Sequence, residues 1–271
     1  MMRLYSVDLT KIRINDPFWS KHVNMVKETM IPYQWKAMND LIPDAEPSHC
    51  LENFKIAAGR KSGEFYGAVF QDTDILKWLE AVGFSLAANK DGQLEKTADE
   101  VIDLIAEAQQ EDGYLDTYFI IKEPDRKWKN LCEGHELYTA GHMMEAAAAY
   151  YQGTGKGKFL NVVQKLGDLL CETFGAEEGK IHGYPGHPEV EIGLIKLVHM
   201  MNYKGGERIT MLCGFRALAD YDRKDENTKA ISSLLSAKEC EVADAVARLK
   251  EDAGSLKGKV ASLQQKMLAY R

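Results

Sequence analysis

Near residue 190 the chain changes character: an acidic, helix-patterned region gives way to a basic region that ends in a heptad. Residues 1–191 carry 20 Lys and Arg against 31 Asp and Glu, whereas residues 192–271 carry 14 against 10. An acidic segment precedes a basic one, the asymmetry expected of two parts that face different surroundings. The hydrophobic pattern switches at the same place. Before it, apolar residues recur at helical spacing; beyond it, a short run of period two gives way to a heptad. The sequence therefore predicts two regions, 1–191 and 192–271, with the junction within 189–197.

In the first region Ile75, Leu76, Trp78, Leu79, Val82, Phe84 and Leu86 crowd one segment, and Leu94, Ala98, Val101, Leu104, Ile105 and Ala108 form a stripe at i, i+3/i+4, i+7. Each reads as an amphipathic helix. Two more are predicted over 136–152 and 159–174, separated by the breaker Gly153-Thr154-Gly155-Lys156-Gly157, and an earlier one over 18–30, before Pro32. Successive helices with little strand signal between them indicate helix-on-helix layers, such as an α/α barrel or a solenoid. The unusual residues fall between the helical stripes, in 109–119 (QQEDGYLDTYF), 133–142 (EGHELYTAGH) and 181–188 (IHGYPGHP). Loops on a rigid scaffold are the usual home of function.

Several classes are disfavoured. The amino-terminal residues alternate polar and apolar, without the apolar core of a secretion signal, and no window reaches membrane-spanning length. The five cysteines (Cys50, Cys132, Cys171, Cys213, Cys240) are odd in number, widely spaced and free of any C-x-x-C pair, which argues for reduced thiols and a cytoplasmic protein. Cys132 and Cys171 read as small buried hydrophobes.

In the second region Lys204-Gly205-Gly206 is a turn signal, and Arg208 to Cys213 alternates with period two, predicting a short strand near 207–213. A helix follows over 215–235. Ser236-Ala237-Lys238-Glu239 then reads as a capping box that opens another. Val242, Val246, Leu249, Ala253, Leu256, Val260, Leu263, Met267 and Tyr270 follow alternating spacings of four and three, the a/d seam of a left-handed coiled coil. Gly254 and Gly258 weaken that helix, so self-association through 240–270 is the partner interaction it predicts.

The words FWSKHVNMVKETMIPYQWKAMND, DTDILKWLEA, AQQEDGYLDTYF, GHELYTAGHMMEAAAAYYQGTGK and GYPGHPEVE, in that order, resemble the amino-terminal half of the β-L-arabinofuranosidase family, glycoside hydrolase family 127, over residues 10–191. The resemblance implies a partial (α/α)6-barrel helical layer with a sugar pocket at one end. It also implies that His135 and His187 hydrogen-bond an arabinofuranoside, a role suited to a neutral imidazole with one donor and one acceptor. Tyr138 and Tyr184, together with Tyr114, are candidate aromatic contacts for the sugar's C–H face. Asp72 and Asp74 are further polar candidates, or else a helix cap. The family's zinc-bound cysteine nucleophile, its acid/base glutamate and the remaining zinc ligands lie downstream of the GYPGHPE word, where this sequence departs from the pattern. No catalytic residue and no metal ligand is carried over.

From Ile192 onward the sequence is similar to the carboxy-terminal part of alanyl-tRNA editing domains, most densely in KGGERITMLCGFRAL. That family holds zinc with an H-x-x-x-H pair and a C-x-x-x-H pair. Neither spacing occurs here, so no cofactor is expected and zinc-dependent editing should be absent. Lys204, Arg208 and Arg216 are the basic residues nearest that family's core, but an excess of four positive charges over this region is no basic patch, and tRNA is disfavoured as a partner. Both resemblances share a word like Glu191-Ile192-Gly193-Leu194-Ile195-Lys196-Leu197, and a join at a short shared word is what fusion of two genes produces. A metal site built from His135, His142, Glu136 and His182 or His187 is the remaining reading of the histidines; packing and sugar contact explain them with fewer assumptions.

Overall fold

The computed structural model describes residues 8–175, 177–194, 227, 229–238 and 241–269. The chain divides into two compact units, Met1–Ile209 and Thr210–Arg271. Both are helical: among the described residues there is no strand, only an isolated bridge between Phe174 and Ile181. The strand expected near 207–213 lies outside the described residues, as do Lys204, Arg208 and Arg216.

In the first unit, helix α1 (Pro17–Met25) begins where Asp16 accepts from the amides of Phe18 and Trp19, and passes through one wide turn, Val26–Met30, into α2 (Ile31–Met38). The helix expected to stop before Pro32 therefore continues past it. Proline lacks the amide that would bond back into the preceding turn, and the wide turn, closed by the Ile31 amide donating to the Val26 carbonyl, absorbs the mismatch. Helix α3 (Cys50–Ala57) and the short α6 (Thr117–Ile121) pack together, and neither carries a stripe long enough to be read from sequence. Asp116 opens α6 by accepting from the Phe119 amide.

The predicted long helices are present as α4 (Thr73–Ala88), α5 (Gly92–Ala108), α7 (Glu136–Thr154) and α8 (Lys158–Thr173). Their stripes meet in one core that includes Ile75, Leu79, Val82, Ile105, Met143, Met144, Val163 and Leu166. The Trp78 indole N–H donates to the Ile31 carbonyl at 3.1 Å and its ring lies 4.8 Å from that of Trp35, tying α2 to α4. The closest pairing is α4 with α7. A Cβ on Gly83 would stand 2.6 Å from the carbonyl carbon of Ala149 and from the amide of Tyr150, and one on Gly153 would stand 2.2 Å from the Gly83 carbonyl oxygen. Gly153, expected to break the helix, is thus a packing residue inside α7. The stop comes two residues later at Gly155, whose φ of +78° is the left-handed conformation common at helix ends. Phe18, Trp19, Tyr33 and Phe84 remain exposed on this unit.

In the second unit, residues 229–235 are helical, and the C-terminal helix runs Val242–Ala269. Glu239, the glutamate of the expected capping box, and Tyr270, the last seam residue, lie outside the described residues. Among the seam residues Val246, Leu249, Leu256 and Val260 are each about half exposed or more. No helix among the described residues is long and apolar enough to cross a membrane.

Candidate functional site

The site forms where the loop before α7 meets the 183–187 loop. His135 occupies the position just before α7 with φ +56°, a left-handed conformation uncommon outside glycine and tolerated by histidine better than by bulky branched residues. Gly134 donates to the Asn130 carbonyl at 2.8 Å and closes the turn beneath it. The Gly186 amide donates to the Leu131 carbonyl at 3.4 Å, which brings the second loop alongside the first. His187 then lies with its ring 5.4 Å from that of His135 and 5.1 Å from that of Tyr138.

Tyr138, one turn into α7, joins the rings. Its centroid is 5.7 Å from His135 and 4.5 Å from His142, edge to face in both cases, while Phe70 closes the other side of His135 at 5.1 Å. Its hydroxyl accepts from the Lys77 ammonium at 3.0 Å, and Lys77 also reaches the Thr73 hydroxyl at 3.2 Å, so α4 fixes the position of the phenol.

The tautomer of His135 follows from its partner. Nδ1 is 2.7 Å from the Glu133 carbonyl oxygen, which can only accept, so Nδ1 carries the proton and Nε2 of the neutral ring is an acceptor. His135 thus offers Nε2 as a hydrogen-bond acceptor rather than a donor. His187 is exposed and free to donate. Three polar rings with fixed edges make a surface suited to a small polyol: nitrogens for its hydroxyls, ring faces for its C–H bonds.

Behind this wall lies a buried acidic layer. The Glu136 carboxylate accepts from the Tyr114 hydroxyl at 2.6 Å and from the Trp128 amide at 2.8 Å, and burial pushes its carboxyl up to about 7 against both hydrogen bonds. Asp72 accepts from the amide and the hydroxyl of Thr117 at 2.7 and 2.5 Å. Burial raises the carboxyls of both Asp72 and Asp116; the charge of Asp74 raises Asp72 further, and that of Asp72 raises Asp116. Asp116 Oδ2 is buried without a hydrogen-bond partner, the arrangement of a carboxyl held neutral.

Of the residues singled out from sequence, the structure brings together His135, Tyr138 and His187. Tyr184 is 90% exposed and is not among the rings that meet. Tyr114 cannot touch a ligand: it is 1% exposed and spends its hydroxyl on Glu136. Asp72 stands at the start of α4 yet caps nothing with its side chain, which is turned to Thr117. Cys132 and Cys171 are exposed rather than buried, because both sit on outward positions; Cys50 is the buried thiol. The metal set His135, His142, Glu136 with His182 or His187 does not converge, since Glu136 is committed to Tyr114 and Trp128. The described cysteines, Cys50, Cys132 and Cys171, belong to no group of candidate metal ligands among the described residues. Phe70 and Lys77 escaped the sequence reading because nothing in their spacing links them to a histidine some sixty residues on. His142 had a signal, four residues after Tyr138 and hence on its face of α7.

Comparison with known proteins places the fold in a family. Residues 11–210 match the family described as "Beta-L-arabinofuranosidase, GH127 catalytic domain". A non-reducing end beta-L-arabinofuranosidase from Bifidobacterium longum subsp. longum is 45% identical over 202 residues, which are 69% of this chain and 31% of that protein. The crystal structure of a GH127 beta-L-arabinofuranosidase from Geobacillus stearothermophilus T6 superposes with a TM-score of 0.69 at 53% identity, covering 70% of this chain and 30% of that one. A second GH127 beta-arabinofuranosidase structure gives 0.66 at 31% identity, covering 73% and 32%. The chain thus spans about a third of the length of these relatives. On a match that covers most of its residues, and with the helical order in agreement, the chain belongs to the GH127 β-L-arabinofuranosidase family.

Proposed function

We propose that this chain is a sugar-binding half-domain of the arabinofuranosidase family, without hydrolase activity as it stands. The observation that carries the reading is the His135–Tyr138–His187 cluster, whose rings lie 5.1 to 5.7 Å apart with the acceptor edge of His135 fixed by Glu133. Retaining hydrolysis needs two groups on opposite sides of the scissile bond. In the family resemblance both lie beyond the GYPGHPE word, and this chain supplies the binding wall alone. The described cysteines are free thiols, in keeping with a reducing, cytoplasmic setting.

Calorimetric titration with a β-L-arabinofuranoside tests the reading. The expected result is weak, saturable heat that falls roughly tenfold in affinity with either His135→Ala or His187→Ala, the effect of about 1.4 kcal/mol for one hydrogen bond to a partly enclosed group. Absence of heat from the folded parent, or binding indifferent to both substitutions, would remove it. Tyr184→Ala should leave affinity unchanged, given its exposure.

A second reading concerns the C-terminal helix, favoured by the exposure of Val246, Leu249, Leu256 and Val260 along one seam. Such a seam is stable in water when a second helix covers it. Sedimentation of the full chain is expected to give a dimer or higher species that dissociates in the double variant Leu249→Glu, Leu256→Glu. A concentration-independent monomer for the parent would end this reading without touching the first.

A further inference from the structure

Helix α7 carries a second cluster one turn beyond the ring site. His142 and Glu145 are three residues apart and therefore neighbours on one face. The short helical run 189–194 lies against α7 at Gly141: a Cβ there would stand 2.5 Å from the carbonyl carbon and oxygen of Glu189. That backbone contact delivers the Glu189 carboxylate to the same place. Its Oε1 is 3.3 Å from His142 Nδ1, and Glu145 Oε2 is 3.9 Å from that nitrogen. One ligand atom from each of the three residues lies within 4.8 Å of the others. The side chains of His142, Glu145 and Glu189 are only 12%, 10% and 18% exposed.

Two carboxylates within reach of one imidazole and largely shielded from solvent favour a positive charge among them. An imidazolium supplies one charge; a divalent cation supplies two and takes the imidazole in its neutral form. Ligand atoms arranged tetrahedrally around zinc at about 2.0–2.1 Å stand roughly 3.3–3.4 Å apart. The Glu189 spacing from His142 Nδ1 matches that value and the Glu145 spacing exceeds it by about half an ångström, so binding draws Glu145 inward. We propose that His142, Glu145 and Glu189 form a binding site for a divalent cation of the zinc class, with one imidazole nitrogen and two carboxylates as ligands and at least one position left for water. The site shares no residue with the ring cluster or with the cysteine-bearing centre of the family resemblance. Tyr138 links it to the former, since its ring packs on His142 at 4.5 Å.

Cobalt(II) is the probe, because its absorption reports the ligand atoms. Titration of the intact chain is expected to show one Co²⁺ bound per chain, with the weak visible bands of nitrogen and oxygen donors, no thiolate-to-cobalt charge-transfer band, and displacement by Zn²⁺. His142→Ala and Glu189→Gln should each weaken binding roughly tenfold or more, at least the loss seen when an outer-shell partner of a metal ligand is removed. Cys132→Ser and Cys171→Ser should leave it unchanged. Glu189→Gln keeps the shape of the side chain, and circular dichroism against the parent checks that the helices persist. Binding only in the millimolar range, a thiolate band, or unchanged affinity in the folded His142→Ala and Glu189→Gln variants would each overturn the assignment.

Discussion

Replacing Gly83 with valine is expected to cost more stability than any other single change argued for this chain, on the order of 3–5 kcal/mol, enough to unfold a marginally stable domain. Even one methyl group at this position runs into the Ala149–Tyr150 peptide of α7: the carbonyl carbon at 2.6 Å, the Tyr150 amide at 2.6 Å and the Ala149 oxygen at 2.7 Å. A side chain can swing aside, but a helix backbone moves only as a unit, so α4 and α7 must separate. Separation reaches the most intimate contact in the fold and loosens Leu79, Val82, Leu86 and the run Ala146–Ala149, all of them buried. Gly83→Ala should show a smaller version of the same loss, about 1–3 kcal/mol. Gly92 is the control. It opens α5, and a Cβ there meets nothing within 4 Å, so Gly92→Ala should be neutral or stabilising by about 0.4–1 kcal/mol. Urea unfolding followed by circular dichroism separates the three variants. A Gly83→Ala midpoint equal to the parent's would mean that α4 and α7 do not approach as closely as the structure places them.

That contact also marks the limit of what the sequence could say. The stripes of α4, α5 and α8 were legible because each is long, periodic and buried on one side, whereas α7, buried on nearly every face, was marked by its length and the breaker after it. Gly153 was misread because a glycine that ends a helix and a glycine that lets another helix touch it look identical in one dimension; the deciding fact is Gly83, seventy residues away. Pro32 was misread for a related reason. A proline after a helical pattern normally stops it, and the wide turn that lets this helix continue has no sequence signature. Helices α3 and α6, of eight and five residues, are too short for their periodicity to stand out.

The candidate site was legible in part and for a different reason. His135, Tyr138 and His187 were found through family words, not through spacing, since the last lies fifty residues beyond the first and meets it only because Gly186 bonds back to Leu131. What no word conveyed is the direction of each group. Tyr114 and Tyr138 look equivalent as aromatic neighbours of the histidines, yet one is sealed in the core against Glu136 and the other presents its edge to three rings. The His142–Glu145–Glu189 cluster joins a helix to a segment that the sequence assigned to the junction, so its third member could not be placed in advance.

The buried acids make the second large effect one of pH. In the folded chain burial raises the carboxyl of Glu136 from 4.5 to about 7, despite the Tyr114 hydroxyl and the Trp128 amide, which favour its charged form. A carboxyl whose pKa is higher in the fold than in the open chain holds its proton more tightly there. Its contribution to stability is therefore complete below pH 4.5 and is lost progressively as pH rises through about 7. Asp72, raised by burial and by Asp74, and Asp116, raised by burial and by Asp72, act in the same direction. Glu52 acts in the opposite sense: hydrogen bonds from Lys55 and Lys61 lower it to about 2, so its contribution is complete above 4.5 and is lost as pH falls from there through about 2. Stability should thus peak near the unperturbed carboxylate range and decline toward neutrality, with Glu136 accounting for roughly 2–3 kcal/mol of the decline. Glu136→Gln removes that titration with little change of shape. The amide oxygen can accept from the Trp128 amide, and the Tyr114 hydroxyl can turn to accept from the amide nitrogen. Melting temperatures measured from pH 4.5 to 8 should fall more shallowly in this variant, which becomes the more stable protein at the alkaline end. Parallel curves would mean that Glu136 ionises in the fold as freely as in the open chain.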